Sequence, residues 1–394
     1  MPDEDPIERY LRLGLAIGRH IAGFVDAYYG PAELADEAGA GPPVDPAGLA
    51  ERSRRLLADL SAGGDLDAGR RRWLAGQVAG LYTTARKLAG EEVRYLDEIE
   101  ACYGVRPSLV AEDDLAAAQR QLDAVLPGAG PVADRCIAWR EAQTVPPGRL
   151  EAAVSSLAED FRSRTGSAFG LPDGERVDFE LVTGKPWSGF NYYQGGLTSR
   201  VAINTDLPVL STTLGHLVAH EAYPGHHTEH CRKEAGLVRR RRQLEETIFL
   251  VGTPQCLLAE GLADLGLEVI VGRRPEAQLA EHLRPLGIPY DAEVVAEAAT
   301  AGEVLGRARG NAAILLHDRD WSVDEVTDYL ARWALLPRAR AVKAVELLVD
   351  PTWRAYVFCY AEGVSLCRSF VGGDPVRFER LITEQVMPSQ LLET

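Results

Sequence analysis

The chain has 394 residues, 46% of them hydrophobic and 25% charged, a balance that excludes disorder and fibrous architecture and leaves ample length for a buried core. At about 150 residues per domain, that length accommodates two or three domains or one large helical body. The excess of 58 acidic over 42 basic residues gives a net charge of −16; such a surface repels phosphate backbones and anionic lipid heads, so nucleic acid and membrane are not expected partners.

The chain opens Met1-Pro2-Asp3-Glu4-Asp5-Pro6, without the basic start and apolar core of a secretion signal, so the expectation is a cytoplasmic protein. No run approaches the roughly 18 apolar residues of a membrane span. Six cysteines are scattered with no C-x-x-C pair and read as reduced packing residues.

From Pro6 to about Thr165 the text is helical. Amphipathic patterns start at Ile7, Leu49 and Arg70, and Gly/Pro clusters such as Tyr29-Gly30-Pro31 and Gly41-Pro42-Pro43 separate them. After Gly166 the texture changes: Arg176 to Val182 alternates with period two, as a half-buried strand does. Phe190–Gln194 and Leu197–Asn204 flank Gly195-Gly196, a dipeptide suited to a hairpin turn. Helical text resumes at Ser211, with a proline-started helix after Thr253 and further helices over about 291–305, 322–335, 338–349 and 352–370. The predicted class is mainly α, with a small antiparallel β-sheet beside the helix that carries the chemistry. An N-terminal helical half (1–165) precedes a catalytic half (166–394), and the two are expected to form one continuous body.

Five of the eight histidines (His216, His220, His226, His227, His230) fall within fifteen residues. His220-Glu221-Ala222-Tyr223-Pro224-Gly225-His226-His227 reads as a zinc-protease helix with an insertion. In the uninterrupted H-E-x-x-H form two imidazoles share one face and bind zinc, and the glutamate beside the first serves as general base. Here the second imidazole is at i+6 or i+7, and i+7 lies about 10 Å along a straight helix. Pro224 and Gly225 therefore predict a bulge or break that brings His226 back to the metal. Catalytic zinc usually has a third protein ligand. Glu260 is the choice, in an apolar run of the next helix where an unpaired carboxylate is costly. Gly261 is expected to let that helix approach the histidine helix closely. Asp264, one turn on, is placed to orient a ligand imidazole, and His216, one turn before His220, either supports that arrangement or packs. Arg200 on the hairpin is a candidate carboxylate clamp. Tyr192 and Tyr193 are candidate pocket residues, and Arg239 to Arg242 read as a solvated face.

At these residues the chain resembles a bacterial family catalogued as domain of unknown function 885. The resemblance is carried by His220-Glu221-Ala222-x-Pro224-Gly225-His226-His227, Glu260-Gly261-x-Ala263 and Tyr360-x-x-Gly363, and it covers mainly residues 186 to 370. That family is similar in fold to the thermostable zinc carboxypeptidases of the Taq type. The resemblance implies one zinc ion, or another divalent metal in its place, held by His220, His226 and Glu260, with His227 as the alternate ligand. It also implies Glu221 as general base, Tyr360 as donor to the developing oxyanion, and Ser199 to Asn204, including Asn204 itself, as a substrate-binding strand. This chain departs from the pattern at Leu262, where the family usually has Trp, and at Tyr356, where it commonly has Gln.

The expected function is a zinc-dependent hydrolase, a carboxypeptidase- or oligopeptidase-like metallopeptidase acting on a peptide or small amide, and homo-oligomerisation is compatible with it. The alternative is a non-catalytic or degenerate metal-binding helical protein that holds a small ligand. A di-metal carboxylate bundle requires paired Glu-x-x-His motifs, which the sequence lacks.

Overall fold

The computed structural model describes residues 5–392 apart from residues 186 and 352; the first four residues of the chain, and Thr352 at the start of the last expected helix, lie outside the described residues. The protein is mainly α-helical with two small sheets. In chain order, the elements that matter for the site begin with α1 (Pro6–Gly18), β1 (Val25–Tyr28), α2 (Pro46–Ala62) and α3 (Ala68–Leu88). Next come β2 (Arg176–Val182), β3 (Gly189–Tyr193) and β4 (Thr198–Asn204), then α4 (Ser211–Glu221), α5 (His226–Lys233), β5 (Ile248–Leu250), α6 (Pro254–Val271) and α7 (Val357–Val371).

Helix starts follow local chemistry. Asp5, Asp45 and Asp67 accept backbone N–H groups at the heads of α1, α2 and α3, neutralising donors that have no partner inside the helix. Thr253 precedes Pro254 at the first position of α6, but its hydroxyl donates to Leu250 O at 2.8 Å instead of capping. Ser211 likewise donates to Gln143 O and Pro289 O, which ties the start of α4 to two distant loops rather than capping it.

Two expectations about strands are corrected. The N-terminal region is not wholly helical, because β1 pairs antiparallel with β5 from the other half of the chain. The three-stranded sheet is mixed rather than antiparallel. Its order is β2-β4-β3, with β3 and β4 joined as the expected hairpin and β2 added parallel to β4. β3 lies near β1 and the histidine helices, and β2 pairs with β4 on the side away from β3. Gly195 and Gly196 have φ of 74° and 63° in the hairpin turn, a conformation that glycine adopts without penalty.

Three apolar cores lie on both sides of residue 165. Ile248 and Leu250 pack with Leu11, Ile17, Leu56, Leu74 and Leu81. Ile203, Leu214 and Val218 pack with Leu150, Leu157 and Phe161, and the largest core combines Tyr95 and Ile99 with α6 and α7. The strands and helices that form the site are thus fixed from both halves.

Candidate metal centre

α4 ends at Glu221, and Ala222-Tyr223-Pro224-Gly225 forms a turn before α5 begins at His226. The predicted bulge is therefore a complete break. Gly225 is sterically required: a Cβ there would lie 1.9 Å from the carbonyl oxygen of His220. Gly266 of α6 packs against the same turn, where a Cβ would meet the Pro224 ring at 3.0 Å. Folding back in this way brings His226 Nε2 to 3.1 Å from His220 Nε2.

Glu260 completes the group from α6. Its carboxylate oxygens lie 3.5 Å from His220 Nε2 and 3.5 Å from His226 Nε2. Metal–ligand bonds of about 2.0–2.2 Å in a tetrahedral site put ligand atoms about 3.3–3.5 Å apart; the two histidine–carboxylate separations, each to a different oxygen of Glu260, reach that range and the histidine–histidine separation falls about 0.2 Å short of it. Glu260 Oε2 is buried without a hydrogen-bond partner, an orphaned acceptor that a cation at the centre would satisfy. Two nitrogens and one carboxylate oxygen, with a fourth position left to solvent or substrate, form a donor set suited to catalytic zinc.

The surroundings orient these ligands. Asp264 Oδ1 lies 2.7 Å from His220 Nδ1 and 3.1 Å from His216 Nε2; the first contact leaves Nε2 of His220 to face the centre. The Tyr356 hydroxyl donates to Glu260 Oε1 at 2.7 Å. Burial favours neutral His220, but Asp264, Glu260 and Glu221 outweigh it and hold its pKa well above the ordinary value. Burial opposes the charge of Glu260 as well, yet His226 and His220 bring it down to about 2. Asp264→Ala is expected to weaken zinc binding about 10- to 100-fold, measured by competition with a chromogenic chelator.

Glu221 is 6% exposed, and its carboxylate has no hydrogen-bond or ion-pair partner among the described residues. Two contacts from β3 hold it: Asn191 Nδ2 donates to Glu221 O at 2.6 Å, and at Gly189 a Cβ would come within 3.1 Å of Glu221 Oε1. Burial raises its carboxyl above the ordinary range, with His220 and His226 opposing. Tyr360 is 44% exposed and lies 5.5 Å, ring to ring, from Tyr356. Burial of the phenol and the nearby Glu260 push its pKa well up, keeping it a proton donor.

Gly261 does not serve the approach to the histidine helix. A Cβ there would meet the carbonyl of Gly363 at 2.3 Å, so the close contact is between α6 and α7, and it is this contact that sets Tyr356 and Tyr360 beside Glu260.

Four other expected roles find different partners. His227 is no alternate ligand: one residue, about 100° of helix, from His226, it faces β4, with Nδ1 2.8 Å from Ser199 Oγ and Nε2 2.9 Å from Glu175 Oε2. Arg200 ion-pairs with Glu180 and lies over the Tyr192 ring at 4.2 Å, on the strand face opposite Ser199. Asn204 donates to the carbonyls of Lys185 and Trp187 at 2.9 Å each, securing the loop before β3. Tyr193 is buried, stacked on His230 at 4.6 Å with its hydroxyl on Glu234, and is a packing residue.

Glu175, missed in the sequence because it precedes a strand without any motif, anchors this second network. Burial opposes its charge, but His227, Tyr223 and Arg162 bring it down to about 2, while burial pushes His227 below its ordinary value. Glu175 thus contributes stability that is complete above its unfolded pKa of about 4.5 and is lost as pH falls towards 2. His227 adds to the loss below about pH 6.5, where the unfolded chain takes a proton that the folded one refuses. Glu175→Gln should cost about 2 kcal/mol at pH 7, a figure reduced for the exposed Arg162. In urea titrations the deficit relative to wild type should shrink as pH is lowered from 5 to 2.

No family model matches the chain, and no curated protein does. A crystal structure from Colwellia psychrerythraea, described as that of a "putative lipoprotein", is similar in fold, with a TM-score of 0.55 and 15% sequence identity over 87% of this chain. The chain spans 65% of that protein's length.

Proposed function

We propose that this protein is a zinc-dependent hydrolase of metallopeptidase type, akin to the domain of unknown function 885 family and the Taq-type carboxypeptidases that its motifs resemble. One observation carries the reading. His220, His226 and Glu260 converge at zinc-ligand spacing, and the uncommitted carboxylate of Glu221 lies in the electrostatic field of all three. A zinc ion held there supplies Lewis acidity, acidifying water and polarising a carbonyl.

The chain's own groups do the rest. Glu221 accepts the proton of the attacking water on its free carboxylate and returns it to the leaving amine. The phenol of Tyr360 donates to the carbonyl oxygen as negative charge develops on it. Asp264 holds the tautomer of His220, and Tyr356 holds the rotamer of Glu260. The break at Tyr223-Pro224-Gly225 allows two imidazoles six residues apart to serve one centre.

The test is elemental analysis of protein purified without chelator, followed by exposure of the zinc-loaded protein to a mixed peptide library read by mass spectrometry. About one zinc per chain together with peptide cleavage supports the reading. Zinc without cleavage of any peptide selects the metal-binding alternative, and no metal after zinc is supplied overturns both.

A further inference from the structure

Two pairs of residues spaced four apart face one another across α4 and α6. His216 and His220 stand on α4, Glu260 and Asp264 on α6, and on a helix positions i and i+4 share a face. The inner rung, His220 with Glu260, belongs to the centre described above. The outer rung is His216 with Asp264: Nε2 of His216 lies 3.1 Å from Asp264 Oδ1, and the same oxygen lies 2.7 Å from His220 Nδ1.

The outer group has the donors of a metal site in its own right. One nitrogen each of His216 and His220 and one oxygen of Asp264 lie within 4.8 Å of one another. Two histidines at i and i+4 on one helix, with a carboxylate from its neighbour, have the spacing and ligand types of helical zinc sites. His220 is common to both groups and offers a different nitrogen to each, Nε2 inward and Nδ1 outward.

The orientation of His220 does not account for His216. Asp264 alone fixes the tautomer of His220, because one acceptor at Nδ1 suffices. A second imidazole on the same oxygen adds nothing to that, and His216 makes no other hydrogen bond or ion pair among the described residues. Its side chain is 47% exposed, against 11% for His220 and 6% for Glu260. His216 and the carboxylate oxygen beside it are therefore within reach of an ion from solvent, whereas the inner donors are enclosed.

We propose that His216 and Asp264 form a second, solvent-facing position for a divalent cation, and that an ion there loosens the zinc held by His220, His226 and Glu260. The ion takes the Asp264 carboxylate from His220. The Nδ1 proton of His220, which is present whenever Nε2 binds the inner zinc, then loses its acceptor. The inner zinc is held about 10- to 100-fold less tightly, as on loss of such a supporting carboxylate by mutation. By reciprocity the inner zinc weakens the outer ion by the same factor. The outer ion must also displace two hydrogen bonds to a carboxylate, so it binds about a thousandfold more weakly than the first. This rests on the zinc centre proposed above and not on its hydrolytic activity.

The experiment uses the full-length protein and zinc alone. Equilibrium dialysis with elemental analysis counts bound zinc as free zinc is raised. Wild type should reach a plateau of one zinc per chain and take a second at about a thousandfold higher free zinc. His216→Ala should keep the first ion and lack the second, and His216→Glu, which retains a ligand atom at similar reach, should keep both. The coupling is read from release of an isotopically labelled first zinc into a chase of unlabelled zinc. Raising the chase into the range that fills the second position should speed release from wild type about 10- to 100-fold, whereas release from His216→Ala should not depend on chase concentration. A second ion that persists in His216→Ala overturns the proposal, and so does release from wild type that is independent of the chase. One zinc with no second ion at any concentration leaves the inner centre standing and removes the outer one. A single zinc that is lost in His216→Ala but kept in Glu260→Ala does the reverse, placing the metal at the outer group.

Discussion

Glu221→Gln is expected to abolish hydrolysis while leaving the metal in place. The substitution keeps the shape and volume of the side chain, so the contact with Gly189 and the hydrogen bond from Asn191 to Glu221 O both survive. What is lost is the only part of the residue that does chemistry, a carboxylate able to take a proton. General-base contributions are typically 10²- to 10⁴-fold, so kcat should fall by about 10³-fold with zinc stoichiometry and the thermal midpoint near their wild-type values. The midpoint is a useful control. An unpartnered buried carboxylate costs stability, so Gln at this position should be neutral or mildly stabilising. Normal turnover by the variant would reject Glu221 as the base.

Much of this centre was legible because the sequence interrupts a known spacing at a place where chemistry demands interruption. A His-Glu pair followed by Pro-Gly and two more histidines cannot form one metal site on a straight helix. The break between α4 and α5 is what the residue types required, and the 1.9 Å clearance at Gly225 explains why glycine stands there. Glu260 and Asp264 could be picked from their four-residue spacing on an apolar helix, since i and i+4 share a face. Most of the helices could also be read from periodicity and caps.

The remainder needed tertiary information. Period-two alternation says that Ser199 and Arg200 point to opposite faces of β4, but not which face meets the histidines; the structure gives that face to Ser199. The same ambiguity placed His227 among the ligands, although one residue of helical rotation turns it to Glu175. β1 is four residues long, too short for a periodic signal, and its partner β5 is more than two hundred residues away, so their pairing carried no local mark. Tyr356 did carry one. It stands four residues before Tyr360, at the residue that leads into α7, and that spacing was a usable sign that the two tyrosines lie together.

Glu260→Ala separates metal binding from folding. The side chain supplies one of the three converging donors and accepts the Tyr356 hydroxyl, and its removal leaves two imidazoles that bind zinc far more weakly than three protein ligands do. Zinc should be absent from the variant purified without supplementation. On the proposed reading the wild type, binding the ion only when folded, should gain stability as zinc is added, by about 2.7 kcal/mol at a hundredfold excess over Kd. Its thermal midpoint should therefore rise by a few degrees with added zinc, whereas that of Glu260→Ala should stay flat over the same range. The metal-free proteins compare differently. Without zinc, Glu260 is held as an anion by His220 and His226, so its loss removes a buried charge pairing and the apo variant should unfold at lower temperature than apo wild type. A variant that still responds to zinc as wild type does would move the third ligand elsewhere, and Asp264, already in contact with His216 and His220, is the residue that would then have to be tested.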